Sequence, residues 1–418
     1  MAFNHALPRT VSSLLESTFN SQTPDFDNNG QEILCFDVDL SSLEQAKVEN
    51  MNITPTVFST HAMVLGLKSG GTVSCAQYLT GSGTNAAEGA NAVATELSNH
   101  LYAAWGGRSL NYAAGIDSNT TSAVDVDAGE GSNYEQGDLL YAYDDSAGKG
   151  YWHFAQGVST DTITFDRALE FTATTDDTIK GVIQCYPDTD ALSSKGDTNY
   201  KTMAMAFKGV AAEDYWEVFG MKPSVEIDEL TQGTLPTLRF TYLVTSFLWE
   251  TLTADALSGT PEGEAPGVIA TGDSFSLYIA DVGSPLAKVA CFSVQPRFGV
   301  NHAQVNGPCG EEGVHGYIVD GRPDPGLDVT VEFDDDYGTD YRAGTEKHAL
   351  IQIGNQETGS VAIYFPRLEY SSEPRRSGES NVSIDLTFRA LENTASAGSL
   401  TGQDLARWRA PFHVGMVA

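Results

Sequence analysis

Hydrophobic and polar residues alternate along much of this 418-residue chain, most clearly in residues 360–392. Residues 361–365 form one alternating run, and residues 382–390 form a second. Side chains at every second position of a strand share a face, so each run predicts a strand with one buried and one wetted face. Pro366 is expected to end the first strand, and the polar stretch 370–379 to connect the two.

The same period predicts strands along most of the chain. An aromatic hairpin is expected around Asp144–Gly148, where two alternating runs flank a short polar turn. The other predicted strands are 33–40, 53–64, 71–79, 161–171, 179–186, 203–207, 238–245, 272–294, 329–333 and 349–353.

Helical spacing is rare. Val93, Leu97 and Leu101 recur at intervals of four, which predicts an amphipathic helix over 88–105, the longest of the chain, stopped by two glycines at 106 and 107. His100 on this helix is expected to be buried and hydrogen-bonded. A second, short helix is predicted over 211–219.

The remaining segments suggest an order of domains. Residues 1–30 are polar and are expected to form an N-terminal arm, followed by a first β domain over 31–200 with a long loop at 110–136. A second β domain or half would cover 201–393, and a C-terminal arm 394–418. Residues 137–155 and 272–293 are weakly similar, which fits either chance similarity among hairpins or a duplication.

The composition favours a β protein that does not bind nucleic acid. Glycine (41 residues) and aromatic residues (10%) are abundant, while charged residues make up only 19%. The formal net charge of −33 opposes neutralisation of phosphates. The acidity either keeps an abundant protein soluble or lines a channel that repels DNA.

The cysteines and the apolar runs indicate assembly in a cytoplasm. Five widely spaced cysteines without a CxxC pair favour free buried thiols over disulfides or zinc. The first residues do not form a signal peptide, and no apolar run reaches the length of a membrane span.

Motifs that would carry chemistry are weak, so the sequence predicts no enzyme, no metal and no cofactor. The glycines of 81–86 follow a predicted strand and precede a helix, but no buried strand is expected after that helix, which argues against a dinucleotide site. The acidic groups at 334–340 and 125–130 lack the spacing of a calcium loop. The eight histidines show no metal-binding spacing.

Four segments resemble bacteriophage tail tube proteins, also called major tail proteins. They are "GLKSGGTVSCAQYLTGSGTNAAEG" with the following "LSNHLYAAWGG", "GDLLYAYDD" with "TDTITFDRAL", "AIYFPRLEY" and "GESNVSIDLTFRALE". The resemblance implies an antiparallel β-sandwich or partial barrel with a flanking α-helix. It also implies a structural virion protein whose rings share an inner β-barrel and stack into a tube, through which DNA leaves the capsid without specific binding.

The resemblance further implies partners and a location. The partners would be further copies of the chain and other tail proteins (tape measure, terminator and distal tail), and the location would be the virion tail, assembled in the bacterial host cytoplasm. Rings would be hexameric, or trimeric if the tube domain is duplicated. The two arms and the loop at 110–136 are expected to join rings, and the lumen is expected to be net negative, with its lining residues unassigned.

The predicted contact residues between subunits or rings are arginines and one tryptophan on an otherwise acidic chain. They are Arg375, Arg376, Arg407, Trp408 and Arg409. Two alternatives remain open. One is another ring component of the tail or neck, and the other is an acidic β-rich module that binds calcium or glycan.

Overall fold

The computed structural model describes most of the chain. The described residues are 10–16, 19, 26, 31–33, 35–43, 47–50, 61–64, 71–81, 86–120, 122–188, 191–192, 200–208, 215–231, 233–250, 275–306, 314–332, 334, 336–377 and 383–417. These residues are mainly β, in antiparallel sheets with flanking helices, which confirms the predicted fold class.

Thirty strands run in chain order. The first fifteen are β1 Thr10–Leu15, β2 Gln31–Ile33, β3 Phe36–Asp39, β4 Lys47–Asn50, β5 His61–Val64, β6 Thr72–Tyr78, β7 Gly106–Leu110, β8 Ala114–Asn119, β9 Ala123–Val126, β10 Leu139–Asp144, β11 Lys149–Ser159, β12 Thr162–Phe165, β13 Thr178–Lys180, β14 Val182–Pro187 and β15 Met203–Lys208. The others are β16 Tyr215–Ile227, β17 Leu230–Thr231, β18 Thr237–Leu243, β19 Ser246–Glu250, β20 Phe275–Asp281, β21 Ala287–Val289, β22 Cys291–Arg297, β23 His302–Asn306, β24 Val314–Val319, β25 Gly326–Glu332, β26 Lys347–Ile353, β27 Val361–Tyr370, β28 Arg375–Ser377, β29 Ser383–Ala390 and β30 His413–Val417.

Three α-helices flank the sheets in the described part of the chain. They are α1 Glu96–Trp105, α2 Asp336–Ala343 and α3 Gly402–Arg409. The longest is α1, as expected. Among the described residues, no helix combines the length and the apolar character needed to cross a membrane.

The first sheet contains eight strands in the order β2-β1-β15-β16-β18-β6-β3, with β19 paired to β16. Its two ends, β2 and β3, are separated by only two residues in the chain, and Asp37 adopts a φ of 53° just after this join. Helix α1 packs against β1, β2 and β16. Side chains from these strands and from α1 therefore share one hydrophobic core, which includes Leu101, Met205 and Phe240.

A closed barrel of six strands follows in the order β10-β11-β12-β9-β8-β13, and β13 returns to β10. Its interior holds apolar side chains such as Ile116, Leu140 and Ile163. The barrel segment, residues 114–180, carries thirteen acidic and three basic residues. Closure leaves this barrel without an open sheet edge.

The largest sheet contains twelve strands, and β27 is its branch point. The main path runs β17-β22-β25-β29-β27-β26-β20-β21, while β30 links β27 to β14 and β7. Residues Val361–Tyr364 of β27 pair with β30, whereas Leu368–Tyr370 pair with β29. The strand continues through Pro366, which was expected to end it, because the proline lies at a bulge where the register to β26 shifts.

Helix α1 is shorter than predicted. Its N-cap is Thr95, whose side chain accepts a hydrogen bond from the Ser98 backbone N–H at 3.2 Å. The preceding residues pair with a neighbouring extended segment instead, since the Ala92 N–H donates to the Asn111 carbonyl at 3.0 Å. The glycine stop is confirmed, because Gly106 caps the helix with a φ of 80°.

Three predicted segments differ from the structure. The helix expected at 211–219 is wrong from Tyr215 onward, where the aromatic and β-branched residues form β16. The long loop expected at 110–136 contains β8 and β9, two walls of the barrel. Within the predicted arm 1–30, Thr10–Leu15 pairs with β15, and most of the other arm residues lie outside the described part.

The predicted domain boundary near residue 200 does not coincide with a boundary between sheets. Strands from both predicted halves pair with each other, as β1 does with β15 and β6 with β18. The two weakly similar segments, 137–155 and 272–293, lie in different sheets. Local alternation reports which residues form strands, whereas pairing between distant strands decides how those strands are grouped.

Candidate assembly surface

Two of the predicted contact residues at the C-terminus lie inside the fold. Arg407 is 5% exposed and Trp408 is 1% exposed, so neither can anchor a neighbouring subunit. Trp408 packs in a cluster with Leu139 and Tyr364, and its indole N–H donates to the Ala395 carbonyl at 3.0 Å. The neighbouring Arg409 is exposed, as expected for a contact residue.

Arg407 holds α3 to the barrel. Its Nη1 lies 3.0 Å from Asp138 Oδ1, and its Nη2 donates to Asp404 Oδ1 at 3.0 Å. Burial raises the pKa of Asp138, and the nearby Arg407 charge opposes that shift. Arg407 therefore neutralises a buried carboxylate within the same chain.

The predicted C-terminal arm is part of the main sheet. Strand β30 lies between β14 and β27, and all five of its residues are buried. Removal of residues 394–418 would expose the core of this sheet, so the interpretation of this segment as a free connector is wrong.

The other two predicted arginines lie at the edge of the large sheet. Arg375 and Arg376 belong to β28, which pairs with β29. Arg375 is exposed, while the side chain of Arg376 is outside the described residues. The structure does not bring these arginines together with the C-terminal group, since α3 packs instead against β7 and β14.

The sequence did not single out the hairpin formed by β23 and β24. This hairpin is a two-stranded sheet of its own, anchored to the body by the polar side chains on its inner face. His302 Nε2 lies 2.9 Å from the Ala104 carbonyl, and Gln304 donates to the Val244 carbonyl at 2.9 Å. The Tyr317 hydroxyl donates to the carbonyls of Gly220 and Leu243.

The electrostatics of this anchor favour a neutral imidazole. Burial lowers the pKa of His302 to about 3, and the nearby Lys222 charge acts in the same direction. A neutral ring can donate from Nε2 to the Ala104 carbonyl only in the Nε2–H tautomer. The hairpin contact thus persists over the physiological range of pH.

The outer face of the hairpin is apolar and exposed. Val305 is 37% exposed and Ile318 is 49% exposed. The register pairs Ala303 with Ile318 and Val305 with Gly316, so these four residues share one face. Alternation of polar and apolar residues in 302–306 was visible in the sequence, but the direction of each face was not.

A pocket of about 570 Å³ lies beside the base of this hairpin. Val300 and Val319 from the hairpin flanks contribute to its apolar lining, and its polar groups include three arginines and a single carboxylate, Glu392. Four prolines also line it, namely Pro187, Pro323, Pro325 and Pro411. The lining suits a partly apolar anion better than a metal ion.

One buried polar cluster has the residue types of an acid–base site but no access. His153 Nε2 lies 3.5 Å from Glu170 Oε2, and His153 Nδ1 lies 4.0 Å from Asp166 Oδ1. The side chains of His153 and Asp166 are fully buried, and burial lowers the pKa of His153 well below its usual value. A group that cannot contact a substrate has no catalytic role, so this cluster is structural.

His100 is buried and hydrogen-bonded, as predicted. One ring nitrogen contacts the Tyr242 hydroxyl, and Nε2 lies 3.0 Å from both Ser13 Oγ and Glu96 Oε1. These contacts join α1 to β1 and β18.

The acidic groups weighed as calcium ligands take part in local contacts. The Asp336 N–H donates to Asp334 Oδ1 at 3.1 Å at the start of α2, and Asp340 accepts from Lys347 at 2.6 Å. Asp125 accepts from Ser118 and Thr162. Among the described residues there is no group of three or more histidines, cysteines or carboxylates placed to hold a metal.

The described cysteines, Cys35, Cys75, Cys185 and Cys291, are free thiols, as predicted, and Cys309 lies outside the described residues. Comparison with known proteins adds no family. No family model matches the chain, and no curated protein matches it.

Proposed function

We propose that this chain is a structural subunit that assembles with copies of itself into the tube of a bacteriophage tail. One observation carries the proposal. In the described part of the chain, the hairpins β4–β5 and β23–β24 do not pair with the main sheets, so their outer strand edges lack neighbours. Unpaired edges promote pairing with another chain, and isolated hairpins are only marginally stable in water.

The fold and the charge support the same proposal. Antiparallel sheets with a flanking helix agree with the architecture that the sequence resemblance implies. The barrel segment, with thirteen acidic and three basic residues, offers a surface that would repel DNA and let it slide. On this proposal the genome passes without specific binding, and the lumen is net negative.

Electron microscopy of the purified chain at rising concentration tests the proposal. Stacked rings with a central pore are the expected result, and the images would distinguish trimeric from hexameric rings. Rings that never stack would favour another ring component of the tail or neck. Monomers at every concentration, also after addition of preformed tail tips, would contradict self-assembly.

The pocket beside the hairpin favours a second candidate function, a ligand-binding module. Its lining indicates an apolar anion rather than the calcium or glycan considered from the sequence. Saturable binding of anilinonaphthalene sulfonate by a persistent monomer, weakened in Arg322→Gln, would support this candidate. Equal binding by Arg322→Gln and the unchanged protein would argue against a specific site.

A further inference from the structure

We infer that the apolar outer face of the β23–β24 hairpin docks onto a second copy of this chain. The inference rests on the proposed self-assembly and specifies one of its contacts. Its basis is a reversed polarity, since the face that meets the body is anchored by hydrogen bonds from His302, Gln304 and Tyr317. The face that meets solvent carries Val305 and Ile318.

The inner contacts make the hairpin a prepared binding element. They reach carbonyls in α1, in β18 and in the residues around Gly220, so both hairpin strands are anchored to the body. Tyr317 is also fixed through its backbone N–H, which donates to the Tyr200 hydroxyl at 2.9 Å. A rigid surface loses little conformational entropy when it binds.

The outer face has the size and shape of a strand-mediated contact. Val305 and Ile318 flank Ala303 and Gly316, so two larger side chains project beside two small ones. No strand pairs with the outer edges of β23 and β24 within the described residues. A partner can therefore cover the apolar side chains and also complete the backbone hydrogen bonds.

The charge distribution indicates a second copy as the partner. The chain has a formal net charge of −33, so copies repel each other over most of their surface. Residues 302–306 and 314–319 contain no Asp, Glu, Lys or Arg. This hairpin is thus a surface at which two such acidic chains can approach with little repulsion.

The test compares self-association of the full chain with that of Val305→Thr/Ile318→Thr. Threonine retains the β-branched shape that strands favour but removes apolar surface. Sedimentation velocity over a concentration series should show association of the unchanged chain, weakened about tenfold or more in the double variant. Val93→Thr is the matched control, because Val93 is 74% exposed elsewhere on the surface.

Each outcome is decisive. Association of the double variant equal to that of the unchanged chain would overturn the hairpin contact and leave tube assembly standing. A chain that stays monomeric would overturn both proposals. If the double variant folds poorly, hydrogen exchange of the unchanged chain decides, since protection of amides 302–306 and 314–319 must rise with concentration, and constant protection overturns the contact.

Discussion

Asp166 is a carboxyl group buried where the barrel meets the large sheet. Burial raises its pKa to about 6, while the Arg167 charge and the Phe154 N–H act to lower it. Between about pH 4 and pH 6 the folded chain therefore binds more protons than the unfolded chain. Stability falls as the pH rises through this window, by about 3 kcal/mol in total, and the whole cost is present above pH 6.

Asp166→Asn should remove this cost. The amide can still accept the hydrogen bond that the Phe154 N–H donates to Oδ1 at 3.1 Å. We expect the free energy of unfolding at pH 7.5 to rise by about 1–3 kcal/mol, with less gain at pH 4.5. Urea denaturation at both pH values measures the effect, and Asp125→Asn is the control because hydrogen bonds lower the pKa of Asp125. An equal gain at both pH values would refute the explanation.

Lys222 has the opposite charge and a comparable cost. It is 1% exposed, and burial lowers its pKa from 10.5 to about 7. Between these values the unfolded chain binds the proton that the folded chain rejects, so stability increases as the pH rises from 7 towards 10.5. The slope for one such group is about 1.4 kcal/mol per pH unit.

Lys222→Met should flatten that slope and raise the free energy of unfolding at pH 7.5 by several kcal/mol. The methionine would lose only one hydrogen bond, which Lys222 donates to the Lys201 carbonyl at 3.1 Å. Denaturation at pH 7.5, 8.5 and 9.5 provides the comparison, with the exposed Lys288→Met as control. Parallel pH profiles for Lys222→Met and the unchanged chain would show that Lys222 is not the source.

Sequence patterns could not identify these two residues. Lys222 lies between Met221 and Pro223 in β16, and it pairs with Leu243 of β18. Its burial results from the hairpin that covers this part of the sheet, a contact between distant segments. By contrast, the burial of His100 followed from helical spacing alone, because its neighbours on α1 mark the apolar face.

At the scale of elements, the end of α1 depends on one glycine. Gly106 has a φ of 80°, and a Cβ added there would lie 2.8 Å from the Ala191 Cβ. Gly106→Ala should lower the free energy of unfolding by about 1–3 kcal/mol, from backbone strain and the close contact together. Thermal denaturation measures this, and Gly157→Ala is the control because its site is open and its φ is not positive. Equal melting temperatures would show that the cap is dispensable.

The docking of α3 depends on the Arg407–Asp138 ion pair. Arg407→Met would leave the buried Asp138 carboxylate without its partner, at a cost of about 3–5 kcal/mol. The double change Arg407→Met/Asp138→Asn should recover part of this loss, since no charge then remains buried. A thermodynamic cycle of both single variants and the double variant measures the coupling, and additive effects would contradict it.

Elements with strong alternation were the most predictable. Strands β6, β15 and β26 and the hairpin β10–β11 lie where the period-2 pattern placed them. The errors occurred where a residue type outweighed the pattern, as with Pro366 in β27 and the polar strands β8 and β9. Closure of the barrel lets such polar strands pair on both sides, which a single-strand pattern does not reveal.

At the scale of the whole molecule, the net charge of −33 controls the approach of two copies. If copies associate, an increase in salt from about 0.05 M to about 0.5 M should strengthen the association, because the ions screen the repulsion. Light scattering across this range measures it. Val305→Thr/Ile318→Thr should respond less, and association that weakens with salt would indicate contacts between opposite charges instead.

The grouping of strands into sheets was the least predictable level. Pairs such as β1 with β15 and β14 with β30 join residues about two hundred positions apart, and alternation contains no information on partners. The candidate assembly surface was missed for the same reason. Its outward direction follows from what the inner face contacts.

The barrel enters and leaves the body at one point. Strands β7 and β14, which precede and follow it, already pair, with Leu110 opposite Ile183, and the Asn111 N–H donates to the Val182 carbonyl at 2.7 Å. The barrel is therefore an insertion in the turn of a hairpin, and a short turn could replace residues 112–181 without breaking that hairpin. Such a deletion would uncover the apolar side chains of Tyr364 and Trp408, so the trimmed body needs polar substitutes there. The same junction would accept a foreign domain whose ends lie close together, which makes this chain a carrier for repeated display along an assembly.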